Sequence, residues 1–160
     1  MTDAIISDVH ANWEALSKVF EDIDRRGIQS VLCLGDVVGY GPDPDLCLDL
    51  VRRRCSVYLM GNHEEALIGS PVGFYPLARE ALALTRRRLF RPWWKPWRAL
   101  GYRRLLSSLP RLAHRPQCLL VHGLSLIHIS EPTRLLSISY AVFCLKKNKQ
   151  LRPTTPTDTL

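Results

Sequence analysis

Three short apolar runs, at residues 4–6, 30–34 and 57–60, each break off in a polar cluster: Ser7-Asp8-Val9-His10, Gly35-Asp36-Val37-Val38-Gly39 and Gly61-Asn62-His63-Glu64. Runs this short and this apolar suit strands buried on both faces. From Asn12 onward, Leu16, Val19, Phe20 and Ile23 recur at helical spacing, with Glu14, Ser17, Lys18, Glu21 and Asp22 on the other faces and Gly27 as a natural stop. After Pro42 and Pro44 a second helix is expected over 45–54, with Leu46, Leu50 and Val51 inward. Strand, helix, strand, helix, strand is the alternation of a parallel, doubly wound α/β sheet, in which ligands gather at the carboxyl ends of the strands. All three polar clusters fall there.

The residue types in those clusters point to cation binding. Asp8 and His10, two apart on an extended segment, would present a carboxylate and an imidazole on one side. Asp36 arrives from the neighbouring strand end between glycines that let ligands approach closely. Its two oxygens can bridge two ions about 3.5–4 Å apart, the separation of two-metal hydrolytic sites. Asn62 offers a neutral oxygen, and His63 could stay unligated as a general acid. Singly, such residues are commonly turn or cap residues. Together, at three successive strand ends, they describe a metal site.

The rest of the chain sets outer limits. With 46% hydrophobic residues in 160, one sizeable core can be buried. Five cysteines (Cys33, Cys47, Cys55, Cys118, Cys144), irregularly spaced and without a CxxC pair, read as buried thiols in a reducing compartment. No signal-like leader or membrane-length apolar run occurs, so a cytoplasmic location without membrane attachment is expected. Charge is split: residues 1–80 carry 7 Lys/Arg against 13 Asp/Glu, whereas 81–160 carry 15 against 2. The arginines of the second half read either as a polyanion-binding face or as helices with solvated side chains.

The motifs Ser7-Asp8-Val9-His10-Ala11-Asn12, Gly35-Asp36-Val37-Val38-Gly39 with its Tyr40-Gly41-Pro42-Asp43-Pro44 extension, and Gly61-Asn62-His63-Glu64 resemble the D-x-H, G-D-x-x-G and G-N-H-[DE] motifs of the calcineurin-like metallophosphoesterases. The extension is similar to a small bacterial and archaeal branch that includes diadenosine tetraphosphatase-like and phosphodiesterase-like members. The resemblance implies a metallophosphoesterase-type β-sandwich flanked by helices and a binuclear centre of two divalent metal ions such as Mn, Fe or Zn. It implies Asp8 and His10 on the first metal, Asp36 bridging, Asn62 and His122 on the second, and His63 as the acid beside the leaving group. A shared hydroxide would attack phosphorus, and proton donation by His63 would contribute ~10²–10⁴-fold. The substrate would be a phosphate mono- or diester, with nucleotides and dinucleoside polyphosphates included. The competing reading is a non-catalytic scaffold on the same fold; nothing in the sequence firmly indicates nucleic acid as a partner.

Two stretches follow other patterns. Residues 70–116 should hold substrate preference, with helices over 76–90 (Leu77, Ala81, Leu84 and Leu89 inward) and 100–109. Between them the loop Pro92-Trp93-Trp94-Lys95-Pro96-Trp97 reads as a base-stacking platform or as packing for the helical insertion. The resemblance covers residues 3 to about 123. The family's G-H-x-H motif is absent from the sequence, and no ligand role is carried onto His128. Residues 125–147 resemble translated sequencing-adapter read-through, and the Thr/Pro-rich end reads as disordered. The expected organisation is a partial phosphoesterase domain over 1–124, incomplete at its C-terminus, followed by a foreign tail over 125–160.

Overall fold

A computed structural model describes residues 2–91, 95–116 and 118–123. Strands β1 (Asp3–Ile6), β2 (Ser30–Cys33) and β3 (Val57–Tyr58) form a parallel sheet, joined by helices α1 (Trp13–Arg25) and α2 (Pro44–Arg54). Helices α3 (Asn62–Ile68), α4 (Pro76–Phe90) and α5 (Pro96–Ser107) follow, then an antiparallel pair, β4 (Leu112–Arg115) and β5 (Cys118–Val121). The chain is mixed α/β, as the sequence indicates. The third strand is shorter than expected, and the parallel strands lie in chain order, so the reversal of a doubly wound sheet is not seen among the described residues.

Local signals explain the boundaries. Asn12 caps α1 by accepting the Ala15 N–H at 3.0 Å, and Gly27, at φ +67°, takes the left-handed turn that ends it. Helices α2, α4 and α5 each open on a proline, whose missing N–H costs nothing in the first turn.

Strand β2 carries both cores because its side chains alternate. Val31 and Cys33 join Leu16, Phe20, Ile23, Leu48, Val51 and Leu67 in the cluster under the helices, while Leu32 and Leu34 meet Leu59 and Leu120 on the opposite face. The β4–β5 hairpin thus covers one side of the parallel sheet and the helices the other. On β1, Ile5, level with Leu32, remains 43% exposed.

Several inward assignments are corrected. Val19 and Leu46 are exposed, as are Leu77 (73%) and Leu84 (62%). Helix α2 buries Cys47 and Leu48 instead, and α4 buries Ala78, Leu82, Thr85 and Leu89. In α4 apolar residues occur on every face, so spacing alone could not choose the buried one. Trp97 is 67% exposed and does not pack the insertion; Trp93, Trp94, His128, Cys144 and the tail lie outside the described residues.

Part of the charge split is met within the fold. Arg88 reaches Asp43 and Asp45, Arg98 meets Asp49 at 2.7 Å and Arg111 meets Glu65 at 2.6 Å. Arg86 donates to the carbonyls of Ala66, Leu67 and Gly69 at the end of α3, and Arg103 lies 4.5 Å over the Phe90 ring. Basic α4 and α5 are docked on the acidic first half. No helix among the described residues is long and apolar enough to cross a membrane.

Two outcomes can be checked on the fold alone. Gly101 is an exposed residue inside α5 with nothing within 4 Å of an added Cβ, so Gly101→Ala should stabilise the chain by ~0.5–1 kcal/mol, read as a raised urea midpoint. Cys33, Cys47 and Cys55 are free thiols. Burial, aided by Asp43 and Asp45, pushes the Cys47 thiol up to about 12, and burial pushes Cys55 up to about 12. Peptide mapping after iodoacetamide at pH 8 should find both unmodified in the native chain and modified in urea.

Candidate metal centre

Beyond the last strand residues the chains stay paired. Asp8 N–H donates to the Gly35 carbonyl at 3.0 Å, His10 N–H to Asp36 at 2.9 Å and Ala11 N–H to Val37 at 2.7 Å. This lays the first motif along the second. The backbone there is not extended: Asp8 (φ 57°), His10 (φ 50°), Ala11 (φ 56°), Asp36 (φ 54°) and Tyr40 (φ 54°) all take left-handed conformations. Asp8 and His10 therefore approach through a tight curl, to 3.9 Å between Oδ1 and Nε2, rather than through the pleat the sequence suggests. Such strain in non-glycine residues persists where the surrounding structure enforces it, commonly at functional sites.

Donor atoms converge in two groups that share one residue. His10, Asp36 and His63 can each bring a ligand atom within 4.8 Å of the other two, and so can Asp8, Asp36 and His122. Asp36 (3% exposed) thus stands between two potential ion sites. The resemblance pairs Asp8 with His10; the structure groups His10 with His63 and Asp8 with His122.

The histidine rings are oriented as ligands would be. His122 turns Nδ1 to the Leu34 carbonyl at 3.0 Å. Because a carbonyl only accepts, Nδ1 carries the proton and donates it. Nε2 then faces two oxygens, Asn62 Oδ1 at 3.0 Å and Asp36 Oδ2 at 3.5 Å. A lone pair and two acceptor oxygens on one point repel unless a cation, a proton or a metal ion, lies among them. His10 likewise gives Nδ1 to the Val38 carbonyl, at 3.3 Å. Donation of the second ring N–H to a carbonyl is the usual support of a metal-bound histidine. The buried His63 Nδ1 has no hydrogen-bond partner. The donor set therefore fits divalent cations.

Titration directions agree with that electrostatic layout. Burial alone would raise Asp36, but the hydrogen bond and charge of His122, with His63 and its N–H, leave it lowered. Burial alone would lower His122, and the Asp36 carboxylate outweighs it, leaving it raised. For His63 burial wins over Asp36 and the pKa falls.

Sequence reasoning assigned no role to Glu64, Tyr40 or Phe74. Glu64 is fully buried and its carboxylate accepts from the N–H groups of Asp36 (2.8 Å), Val37 (2.7 Å), Val38 (3.2 Å) and Gly61 (2.9 Å), and from the Tyr58 hydroxyl (3.1 Å). Burial and the Asp36 charge push its pKa up, yet five donors and no acceptor at its oxygens favour the ionised form. The Gly-x-x-Glu spacing at a helix start was the available signal. The His63 ring packs against His10, Tyr40 and Phe74, with centroids 4.6, 4.9 and 5.0 Å away; for Phe74 the sequence offers no signal.

Glycines allow this density. A Cβ on Gly39 would lie 2.2 Å from His63 Nδ1, and one on Gly41 2.5 Å from the His10 carbonyl oxygen. Strand β5 delivers His122, as its motif suggests, and the start of α3 delivers Asn62 and His63.

Comparison with known proteins bears on this arrangement. The calcineurin-like phosphoesterase family profile matches residues 1–151. The crystal structure of a metallophosphoesterase from Sphaerobacter thermophilus superposes with a TM-score of 0.60 at 37% identity, over 76% of this chain and 46% of that one. A hypothetical protein from Pyrococcus horikoshii shares the fold (TM-score 0.55, 16% identity, 70% of this chain and 50% of that chain). An uncharacterized protein of Methanocaldococcus jannaschii is 47% identical over 66 residues, 41% of this chain and 27% of its own length. The chain thus spans about half or less of these relatives. With its three motifs at three strand ends and donors converging on Asp36, the chain belongs to the calcineurin-like phosphoesterase family.

Proposed function

We propose that this site belongs to a metal-dependent phosphoesterase that hydrolyses phosphate mono- or diesters. The observation that carries the reading is the sharing of Asp36 by two ligand groups, His10 with His63 and Asp8 with His122. Asp8, His10, Asp36, Asn62 and His122 would hold two divalent ions, with His63 beside them. Bound there, the ions would supply Lewis-acid charge to the phosphate oxygens and lower the pKa of a coordinated water. His63 would exchange a proton with the leaving oxygen through its ring; its lowered pKa makes the protonated ring a stronger acid. A nucleotide is the favoured substrate class, because a groove of about 710 Å³ beside Tyr40, lined by Pro42, Leu77, Leu84 and Arg87, has room and apolar walls for a base.

The tail over 125–160 is read as foreign to this domain, on its adapter-like sequence and against a family match that runs on to residue 151, and the protein as cytoplasmic. Because the sequence lacks a G-H-x-H motif, the 160-residue chain should turn over poorly. Calorimetric titration with Mn²⁺, paired with hydrolysis of bis(p-nitrophenyl) phosphate, tests the reading. Two bound Mn²⁺ per chain and slow, Mn²⁺-dependent release of nitrophenol are expected. A chain that takes up no Mn²⁺ at millimolar concentration would instead be a scaffold.

A further inference from the structure

The loop 35–39 has the look of a phosphate cradle: glycines at φ +118° and +92° flank three consecutive N–H groups, of Asp36, Val37 and Val38, that turn to one point. Glycine-rich nests of this kind ordinarily take an external anion. Here the point is already occupied by the Glu64 carboxylate. Oε2 takes the N–H groups of Asp36 and Gly61, and Oε1 takes those of Val37 and Val38 together with the Tyr58 hydroxyl. Glu64 is 0% exposed, so neither water nor substrate competes for it. These three loop N–H groups make no backbone hydrogen bond.

The same residue links the two strand ends that build the centre. Gly61 lies at the end of β3, Asp36 at the end of β2, and one carboxylate holds both backbones. The preceding residue completes the hold, since His63 N–H donates to Asp36 Oδ1 at 2.9 Å. With its backbone fixed by Glu64 and one oxygen fixed by His63, Asp36 keeps Oδ2 directed at His122.

We propose that Glu64 is a positioning residue, an internal anion that fills the loop's N–H cradle, so that the loop presents Asp36 to metal and is closed to the substrate's phosphate. This rests on the reading of Asp36 as a metal ligand. Glutamine at 64 keeps the shape but turns an NH₂ against N–H donors, leaving at least two of them without an acceptor. The Asp36 turn would then relax, and ligand geometry with it. Tyr58→Phe removes one donor from the same carboxylate and leaves all four backbone contacts, so it controls for lost stability.

The test uses the 160-residue chain and Mn²⁺. Glu64→Gln should weaken Mn²⁺ binding about tenfold or more, measured by EPR on samples verified as folded by circular dichroism, while Tyr58→Phe stays within about twofold. Equal affinities of Glu64→Gln and wild type would overturn the proposal; a wild type without Mn²⁺ binding would instead overturn the metal reading. A second measurement needs no variant. In the wild type the amides of Asp36, Val37 and Val38 should exchange as slowly as those of β2 and show no NMR shift with inorganic phosphate in the absence of metal. Fast exchange, or phosphate-induced shifts at these amides, would overturn the closed cradle even if Glu64→Gln proved unfolded.

Discussion

Replacing Asp36 with asparagine is expected to eliminate Mn²⁺ binding at both ligand groups at once, while the fold survives. Both halves of that outcome follow from contacts. Asn keeps an oxygen to accept the His63 N–H that Asp36 Oδ1 now accepts at 2.9 Å, so the start of α3 stays docked. At the position of Oδ2 it places either a neutral oxygen or an NH₂ group, facing His122 Nε2 at 3.5 Å. One unit of charge is lost from the only residue that both groups share. Loss of an outer-shell partner alone typically weakens metal binding ~10–100-fold, so removal of a shared charged ligand should exceed ~100-fold. EPR titration with Mn²⁺ measures it. The effect of Asp8→Asn should be confined to the group containing His122, leaving one tighter ion; if Asp36→Asn also left one site intact, Asp36 would not be shared.

The physical basis of that prediction was partly readable before any coordinates. Asp8, His10, Asp36, Asn62 and His63 stand out because polar clusters end three apolar runs, whereas His122 is indicated only by the family resemblance. Their supports do not stand out. The alternation in β2, Val31 and Cys33 one way, Leu32 and Leu34 the other, is invisible in a continuously apolar run, because both faces are buried and period two leaves no polar trace. The buried face of α4 was missed for a related reason: Leu77 and Leu84 are as apolar as Leu82 and Leu89, and the choice between them was made by where α4 meets α2, α3 and α5. The left-handed turns at Asp8 and His10 are likewise a product of pairing with the Gly35–Val37 backbone, not of local preference alone.

Arginine placement shows the same division. The sequence reveals an acidic half and a basic half, and either external anions or solvent could have balanced them. The fold pairs part of them with each other, through Arg88 on Asp43 and Asp45 and Arg98 on Asp49, so that α4 is held against the loop that follows Asp36 and α5 against α2. Exposed pairs of this kind contribute little each, ~0–1 kcal/mol; their consequence is orientation of the helices that wall the groove.

Gly61→Ala should be strongly destabilising. At this position a Cβ would lie 2.1 Å from Asp36 Oδ1, 2.4 Å from the Asp36 backbone nitrogen and 2.8 Å from Glu64 Oε2. The Gly61 backbone itself is in an ordinary extended conformation, φ −90° and ψ 175°, so the cost comes from the neighbours and not from torsional strain. None of those neighbours is free to yield. Asp36 N is bound to Glu64 at 2.8 Å, Asp36 Oδ1 to the His63 N–H, and Glu64 has four other donors around its two oxygens besides that of Gly61. Overpacking of a well-filled interior ordinarily costs ~1–3 kcal/mol, and here relief requires breaking charge-assisted hydrogen bonds as well, each worth ~1.5–3 kcal/mol. A loss of ~3 kcal/mol or more is expected from urea unfolding, opposite in sign to the gain expected for Gly101→Ala in the same assay. Any Gly61→Ala protein that remains folded should also bind Mn²⁺ more weakly, because the methyl would displace Asp36 or the Glu64 carboxylate that holds it. Wild-type stability and Mn²⁺ affinity in this variant would mean that Asp36 and Gly61 are not packed in contact.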